Sequence, residues 1–425
     1  MIVLLLLALS FIQEGIGKYK TVIRTIHSFQ SYEQSKIQKY LNYLQYGTYG
    51  VRILFVPSPQ SIFFINSSTI SELTAGMDSG ERLRIYNSFK GRSLFTEKTG
   101  GFKDFSGIML LWGSFVALLL GYEAFIHKDY LRFMVGVIKP RSLFSAILFS
   151  RILIIGLFLF GTTAISLVLL KLNGISTGTL ELAYLGIYLL MLILVWIFFF
   201  IIGTMAGSLR SKFSGFVLLI ISWFFLIFIL PSIINSFTYL KAENIEAEKN
   251  MEKVTFEMLM RVEREMRDKA GPLNEKNKSM VYQEVKKHLD KEFKVIQTLE
   301  KRMEIDMQKN IRFHQGLSML FPSTFYLSTG NEISSKGYVN FIKFYRYIQQ
   351  LKHRFVPYIM KKFFESRSRA QSKLPIQSFF KQDEDIFRAE TALPSYFLAG
   401  ISLIIFYIIG LTMLSYALFK KSLLL

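Results

Sequence analysis

Five apolar runs of bilayer length decide what this chain can fold into. Residues 105–122, 146–170, 182–206, 214–237 and 394–419 each come close to or exceed the roughly 20 apolar residues that a membrane-crossing helix needs. A sixth run opens the chain as MIVLLLLALSFI and is followed at once by Gln13 and Glu14. Three readings of it stay open. A signal peptide would want a basic n-region and a small-residue cleavage site, which this start lacks. A first transmembrane helix could continue through Ile16, or the start could be late and the helix shortened. The expectation is a first span over 1–15, whole or truncated.

Between the runs the chain is polar. It is 51% hydrophobic yet 19% charged over 425 residues, which fits an integral membrane protein with sizeable aqueous parts. The expected fold is therefore mainly α: a polytopic membrane protein with about six transmembrane helices and two extracytoplasmic insertions. The blocks are 1–15, the insertion 16–104, four spans over 105–237, the insertion 238–393, and the last span with its tail over 394–425. The net charge of +20 would raise nucleic acid as a partner in a soluble protein. Here the basic residues are interspersed with acids and no nucleic-acid motif accompanies them, so contact with membrane lipids explains part of the excess and no nucleic acid is expected. The absence of cysteine excludes disulfides, thiolate metal sites and cysteine nucleophiles, and suits a bacterial protein with large extracytoplasmic regions.

Short loops set the orientation. Lys and Arg outnumber acids in 123–145, in 207–213 and in the tail after residue 419, whereas 171–181 is balanced. Basic short loops stay cytoplasmic. Alternation then puts both termini inside and the two long insertions outside, with Lys139, Arg141, Arg151, Arg210 and Lys212 as membrane-surface anchors. Arg151 is expected to reach the headgroups along its own stem, the alternative being a buried pair with Glu123.

Residues 49–65, YGVRILFVPSPQSIFFI, alternate β-branched and aromatic side chains around two prolines, so an extended piece docked near the membrane is predicted. In the second insertion Val281, Val285, Leu289, Phe293, Ile296, Leu299, Met303 and Met307 mark one face of a long helix. Val254, Met258, Leu259, Val262 and Met266 do the same upstream, and Gly271 and Pro272 break the chain between them. A helical hairpin is expected, its charges, such as Glu300, Arg302 and Glu304, lying on a solvated surface at i,i+4 spacing.

Chemistry of the catalytic kind is sparse. There is no phosphate-binding G-x-x-x-x-G-K-[ST] loop, so the chain cannot by itself be an ATPase. His27, His127, His288, His314 and His353 make no paired metal spacing. Asp383, Glu384 and Asp385 could bind a cation, but are read instead as a solvated acidic turn before the last helix. No catalytic residue, cofactor or metal is expected, and no enzyme activity of the chain's own.

Four stretches together resemble a known family: 49–64, GMDSGERLRIYNSFKG at 76–91, the segment from Phe105 through GYEAFIHKDYLRFMVGVIKPRSLFSAILFSRI, and LFPSTFYLSTGNEISSKGYVNFIKFYRYIQQLK from Leu320. Their joint order is similar to that of ABC-2-type transporter permeases, in the bacterial subgroup with a large insertion before the last helix. The resemblance implies a permease subunit of an ATP-binding cassette transporter, an exporter in the cytoplasmic membrane. It implies pairing with a second permease subunit, in a homo- or heterodimer, and two separate ATPase subunits. It also implies a cytoplasmic coupling helix within 123–145, with Glu123, Lys128, Asp129 and Arg132 as the ATPase contact. The bland alternative is that these charges only set topology. A second functional reading is mechanical, in which the outer parts pass ATP-driven motion to an envelope partner with no substrate crossing.

Overall fold

The first apolar run does not stop at the membrane. In the computed structural model it continues as one helix, α1 (Ile2–Ile37), of 36 residues, about 54 Å at 1.5 Å per residue. The sequence reading ended this span near residue 15, where polar side chains begin. The helix persists because no proline interrupts it and because Ile16, Ile26 and Ile37 stay buried along one stripe. The structure describes residues 1–40, 42–64, 74–77, 83–86, 104–209, 211–242, 278–365, 376–381 and 384–424.

After α1 come α2 (Tyr43–Tyr49), β1 (Val51–Val56) and a 3₁₀ turn (Pro59–Phe64), then β2 (Thr74–Met77) and β3 (Leu83–Tyr86). The next span is assembled from α3 (Phe105–Ile108), a π turn (Met109–Gly113) and α4 (Ser114–Ile126). It starts where Asp104 accepts the Gly107 N–H at 2.7 Å. A short helix, α5 (Lys128–Val135), leads to α6 (Pro140–Leu172), α7 (Thr179–Ser208) and α8 (Lys212–Phe224). A second π turn (Phe225–Ile229) carries α8 on into α9 (Leu230–Ala242). Then follow α10 (Lys278–Met319), α11 (Pro322–Ile333), α12 (Tyr338–Glu365), β4 (Ile386–Arg388) and α13 (Phe397–Leu424). Six of these helices are long and apolar enough to cross a membrane, which fits a polytopic, mostly helical membrane protein.

The membrane part is organised around α7. Trp196, Phe199, Phe200, Met191 and Val195 are fully buried on it. Glycines let α4 approach: a Cβ on Gly203 would stand 2.1 Å from the Leu118 carbonyl oxygen, and one on Gly121 would stand 2.1 Å from that of Phe200. Trp196 lies over Gly113 and donates from Nε1 to the Met109 carbonyl, 3.0 Å away, inside the π turn. Backbone contact of this kind is how membrane helices associate without a hydrophobic driving force between them.

The two long insertions of the sequence reading share one sheet. Its strand order is β3-β2-β1-β4, and β1 runs parallel to β4 with Leu54 opposite Ile386. Around it Ile37, Tyr46, Ile53 and Phe55 from the first insertion pack with Met303, Met307, Phe344, Ile348 and Phe355 from the second. Within the expected extended piece at 49–65, Tyr49 ends α2, Val51–Val56 form β1 and Pro59–Phe64 the 3₁₀ turn, while residue 65 lies outside the described residues. The turn's Ile62, Phe63 and Phe64 sink into the same apolar core as the membrane helices.

Of the expected hairpin, the upstream arm and its Gly271–Pro272 break lie outside the described residues. The downstream arm is α10, 42 residues long. Ile296, Met303 and Met307 are buried on it as the periodicity requires, while the side chains of Val281, Val285, Leu289 and Phe293 lie outside the description. One expectation about its charges is corrected. Glu300 is not on a solvated surface; it is 3% exposed and receives Lys352 Nζ at 3.2 Å and His353 Nε2 at 3.1 Å, both from α12. Burial pushes its carboxyl up, but these two partners outweigh burial and hold it below the usual range. Glu304 likewise turns to α12, accepting from Arg346 Nε at 2.7 Å. Spacing along one helix could not reveal this, because the partners arrive from another element.

Candidate functional site

The segment after α4 begins with a break. His127 adopts φ −88° and ψ 69°, outside the helical region, so α4 ends there and α5 restarts in a new direction. Asp129 in the first turn and Arg132 in the last suit the dipole of this two-turn helix. The chain then extends at Lys139, and Pro140 opens α6, where its missing N–H costs nothing.

What fixes α5 is a small apolar cluster at one end of the bundle. Leu131 from α5 packs with Phe125 of α4, Leu143 and Phe144 of α6 and Phe419 of α13. The rings of Phe125, Phe144 and Phe419 lie 5.2–5.5 Å apart, centre to centre, in edge-on and tilted pairs. Leu131 is therefore the bolt by which a short helix grips three spans. Away from Leu131 the helix is left uncovered, with Tyr130 and Phe133 62% and 73% exposed, as is Val137 just past its end at 78%. At the same end, Tyr122 donates its hydroxyl to the Lys212 carbonyl at 2.7 Å, tying α4 to the first turn of α8.

Beside α5 is a cleft of about 750 Å³ lined by His127, Asp129, Tyr130, Arg132, Ser208, Leu209, Lys212, Leu418, Lys421 and Ser422. The structure thus brings Asp129, Arg132 and Lys212 together from the residues singled out in the sequence. Glu123 is exposed on α4 outside that lining. Lys128 opens α5, its side chain lying outside the description. Lys139 and Arg141 are exposed at the start of α6, Arg151 is half-buried about three turns along it, and Arg210 lies outside the described residues. Among the described residues no ion pair engages Glu123 or Arg151, so the alternative of a buried Glu123–Arg151 pair is set aside. Sequence reasoning missed Lys421, Tyr130 and His127 as neighbours of the cleft. Lys421 had a signal, the basic tail, but not an address.

At the far end of the bundle the 3₁₀ turn and α11 are set into the helices. Phe64 stacks edge-on to Tyr188 of α7 at 4.9 Å and rests on Gly330 of α11. The Tyr188 and Tyr326 hydroxyls meet, and Tyr326 also donates to the Ser106 carbonyl at 3.2 Å. Phe325 seats on Gly400 of α13. Behind α11, Glu332 is sealed in a turn, accepting the Val339 N–H at 3.2 Å and Gln315 Nε2 at 3.4 Å. Burial raises its carboxyl to about 7 in spite of these donors. Nearby on α10, His314 is buried, with no partner at Nδ1, and burial holds it down to about 4. A run of packed contacts therefore joins the cleft end to the sheet end: α5 to α4 through Phe125, α4 to α7 through the paired glycines, and α7 to α11 through the tyrosines.

Among the described residues no group of three or more His, Asp or Glu side chains is placed to hold a metal ion. Of the acidic run at 383–385, Asp383 lies outside the described residues, and Glu384 accepts from Arg354 at 3.1 Å. Comparison of the chain with protein-family models, with curated proteins and with solved structures found no match.

Proposed function

We propose that this chain is the transmembrane subunit of an ATP-driven transporter of the ABC-2 type in a bacterial cytoplasmic membrane. It would pair with a second permease subunit and take its power from separate ATPase subunits. The observation that carries the reading is α5: a two-turn helix bolted by Leu131 to α4, α6 and α13 while Tyr130 and Phe133 face outward. A soluble partner pressing on that face would move three spans at once. Asp129, with Lys128 and Glu123 flanking it, supplies the polar contact, and Arg132 lies beside it in the cleft. The direction of transport follows the resemblance, toward export, and the substrate is left unassigned.

The test is a mild-detergent pull-down of the tagged chain from its host, followed by assay of the retained ATPase. A co-purifying P-loop ATPase is expected, with its hydrolysis stimulated by the chain and that stimulation reduced by Asp129→Lys. Retention of no ATPase, together with no cross-link through α5, would sink the reading.

A specific observation keeps the mechanical reading beside it. α1 passes without a break from the membrane core into the sheet, where Ile26 packs with Leu54, Val56 and Ile386. Such a rod would carry motion across the bilayer without opening a path. Substrate flux in reconstituted vesicles separates the two: flux driven by ATP supports transport, and ATP-driven movement of the sheet end without flux supports transmission.

A further inference from the structure

The cleft beside α5 has chemistry that a protein contact alone leaves unused. Among the described residues, three cations, Arg132, Lys212 and Lys421, line it against one carboxylate, Asp129. All three are exposed, and among the described residues no ion pair engages any of them. Arg132 donates to the Ser422 carbonyl at 3.3 Å, so part of its charge serves the end of α13. The carbonyl ends of α7 and α13 also face this region and subtract roughly half a charge each, while the amide end of α8 adds as much. Among the described residues a positive surplus remains after these terms.

The depth of the cleft narrows the ligand. The apolar stretch of α7 closes at Gly207, that of α8 opens at Lys212 and that of α13 closes at Ser422. The cations thus sit where spans meet the headgroup layer. The walls turn apolar toward the bilayer: Leu418 lines the cleft, and Phe213, beside Lys212, is 77% exposed. The volume falls within the range of about 300–1,000 Å³ typical of small-ligand sites.

We propose that this cleft binds the phosphate of an anionic glycerophospholipid, with Arg132, Lys212 and Lys421 on its oxygens and the acyl chains along Leu418 and Phe213. The guanidinium supplies a planar fork for two oxygens, and the two ammonium groups act as point charges. Bound there, the lipid bridges α5 to α8 and α13 and leaves the Phe133 side of α5 free. The assignment needs no ATPase, so it stands or falls apart from the transporter reading.

The experiment is a titration of the full-length protein in mild detergent with short-chain phosphatidylglycerol and, separately, phosphatidylcholine, read by native mass spectrometry. A preference of at least about tenfold for the anionic lipid is expected from three basic residues at one site. Arg132→Gln, Lys212→Gln and Lys421→Gln combined should bring the two lipids within about twofold of each other, whereas Lys420→Gln, next door but outside the lining, should leave the preference intact. Equal binding of both lipids by the wild type, an undiminished preference in the triple variant, or an equal loss in Lys420→Gln would each overturn the site. Inorganic phosphate at millimolar concentration should fail to displace the lipid; displacement would place the ligand in solution and overturn the lipid assignment.

Discussion

At the scale of single residues, contact with backbone decides what can change. Gly203 meets the Leu118 carbonyl so closely that even a methyl group forces α4 and α7 apart, whereas Gly161 on α6 has nothing within 4 Å of its would-be Cβ. Gly203→Ala should therefore destabilise the bundle by about 1–3 kcal/mol, while Gly161→Ala should leave it unchanged or slightly more stable. Thermal unfolding in one detergent measures both, and similar losses would refute the close approach. Glu332 and His314 make a second residue-level prediction, with opposite signs. The folded state raises Glu332 from an ordinary value near 4.5 to about 7, so its contribution is complete below pH 4.5 and is lost as pH rises through 7. His314 is held down to about 4 from 6.5, so its contribution is complete above pH 6.5 and is lost as pH falls through 4. Each shift is worth up to about 3 kcal/mol. Between pH 5 and 8, Glu332→Gln should gain stability relative to the wild type, read as the difference between the two melting temperatures within each protein. An unchanged difference would mean that Glu332 titrates normally. Neither shift was legible beforehand, because a lone Glu or His in sequence carries no record of what will cover it.

At the scale of elements, the clamp between α10 and α12 separates two kinds of ion pair. Lys352 is 2% exposed at its side chain and Glu300 4%, whereas Arg346 in the neighbouring Glu304 pair is 50% exposed. Glu300→Ala would strand a buried ammonium and should cost about 3–5 kcal/mol. Glu304→Ala should cost less than about 1 kcal/mol, as surface pairs do. Urea titration of the two variants tests the ranking, and equal losses would contradict it. The periodicity of α10 predicted a helix and its apolar stripe, but it assigned Glu300 to the wet side. The stripe at Ile296, Met303 and Met307 follows from 3.6 residues per turn, a local rule. Burial of Glu300 follows from α12 covering that turn, which is not local. α5 has the same division: its charges and its place between two spans were readable, while its grip on Phe419 through Leu131 was not.

At the scale of the whole molecule, one sheet ties together segments more than 300 residues apart. Leu54→Cys with Ile386→Cys, in a chain that has no other cysteine, should form a disulfide across β1 and β4. After proteolysis between the two sites, the fragments should stay joined until reduced, and separation without reductant would deny the parallel pairing. The sequence by itself determined the spans, because a helix in hydrocarbon must satisfy its own backbone and carry apolar side chains for about 20 residues. It likewise set the basic loop between the second and third of them and the apolar face of α10, each a matter of composition or spacing along a single element. Only the tertiary structure decided that α1 runs on into the sheet and that the two insertions form one unit. The same is true of Lys421 meeting Arg132 and Lys212 in a cleft, and of Glu300 and Glu332 being sealed from water. Those features depend on which distant surfaces meet, and the free energy of each contact belongs to both partners, so no pattern in one stretch of chain encodes it alone.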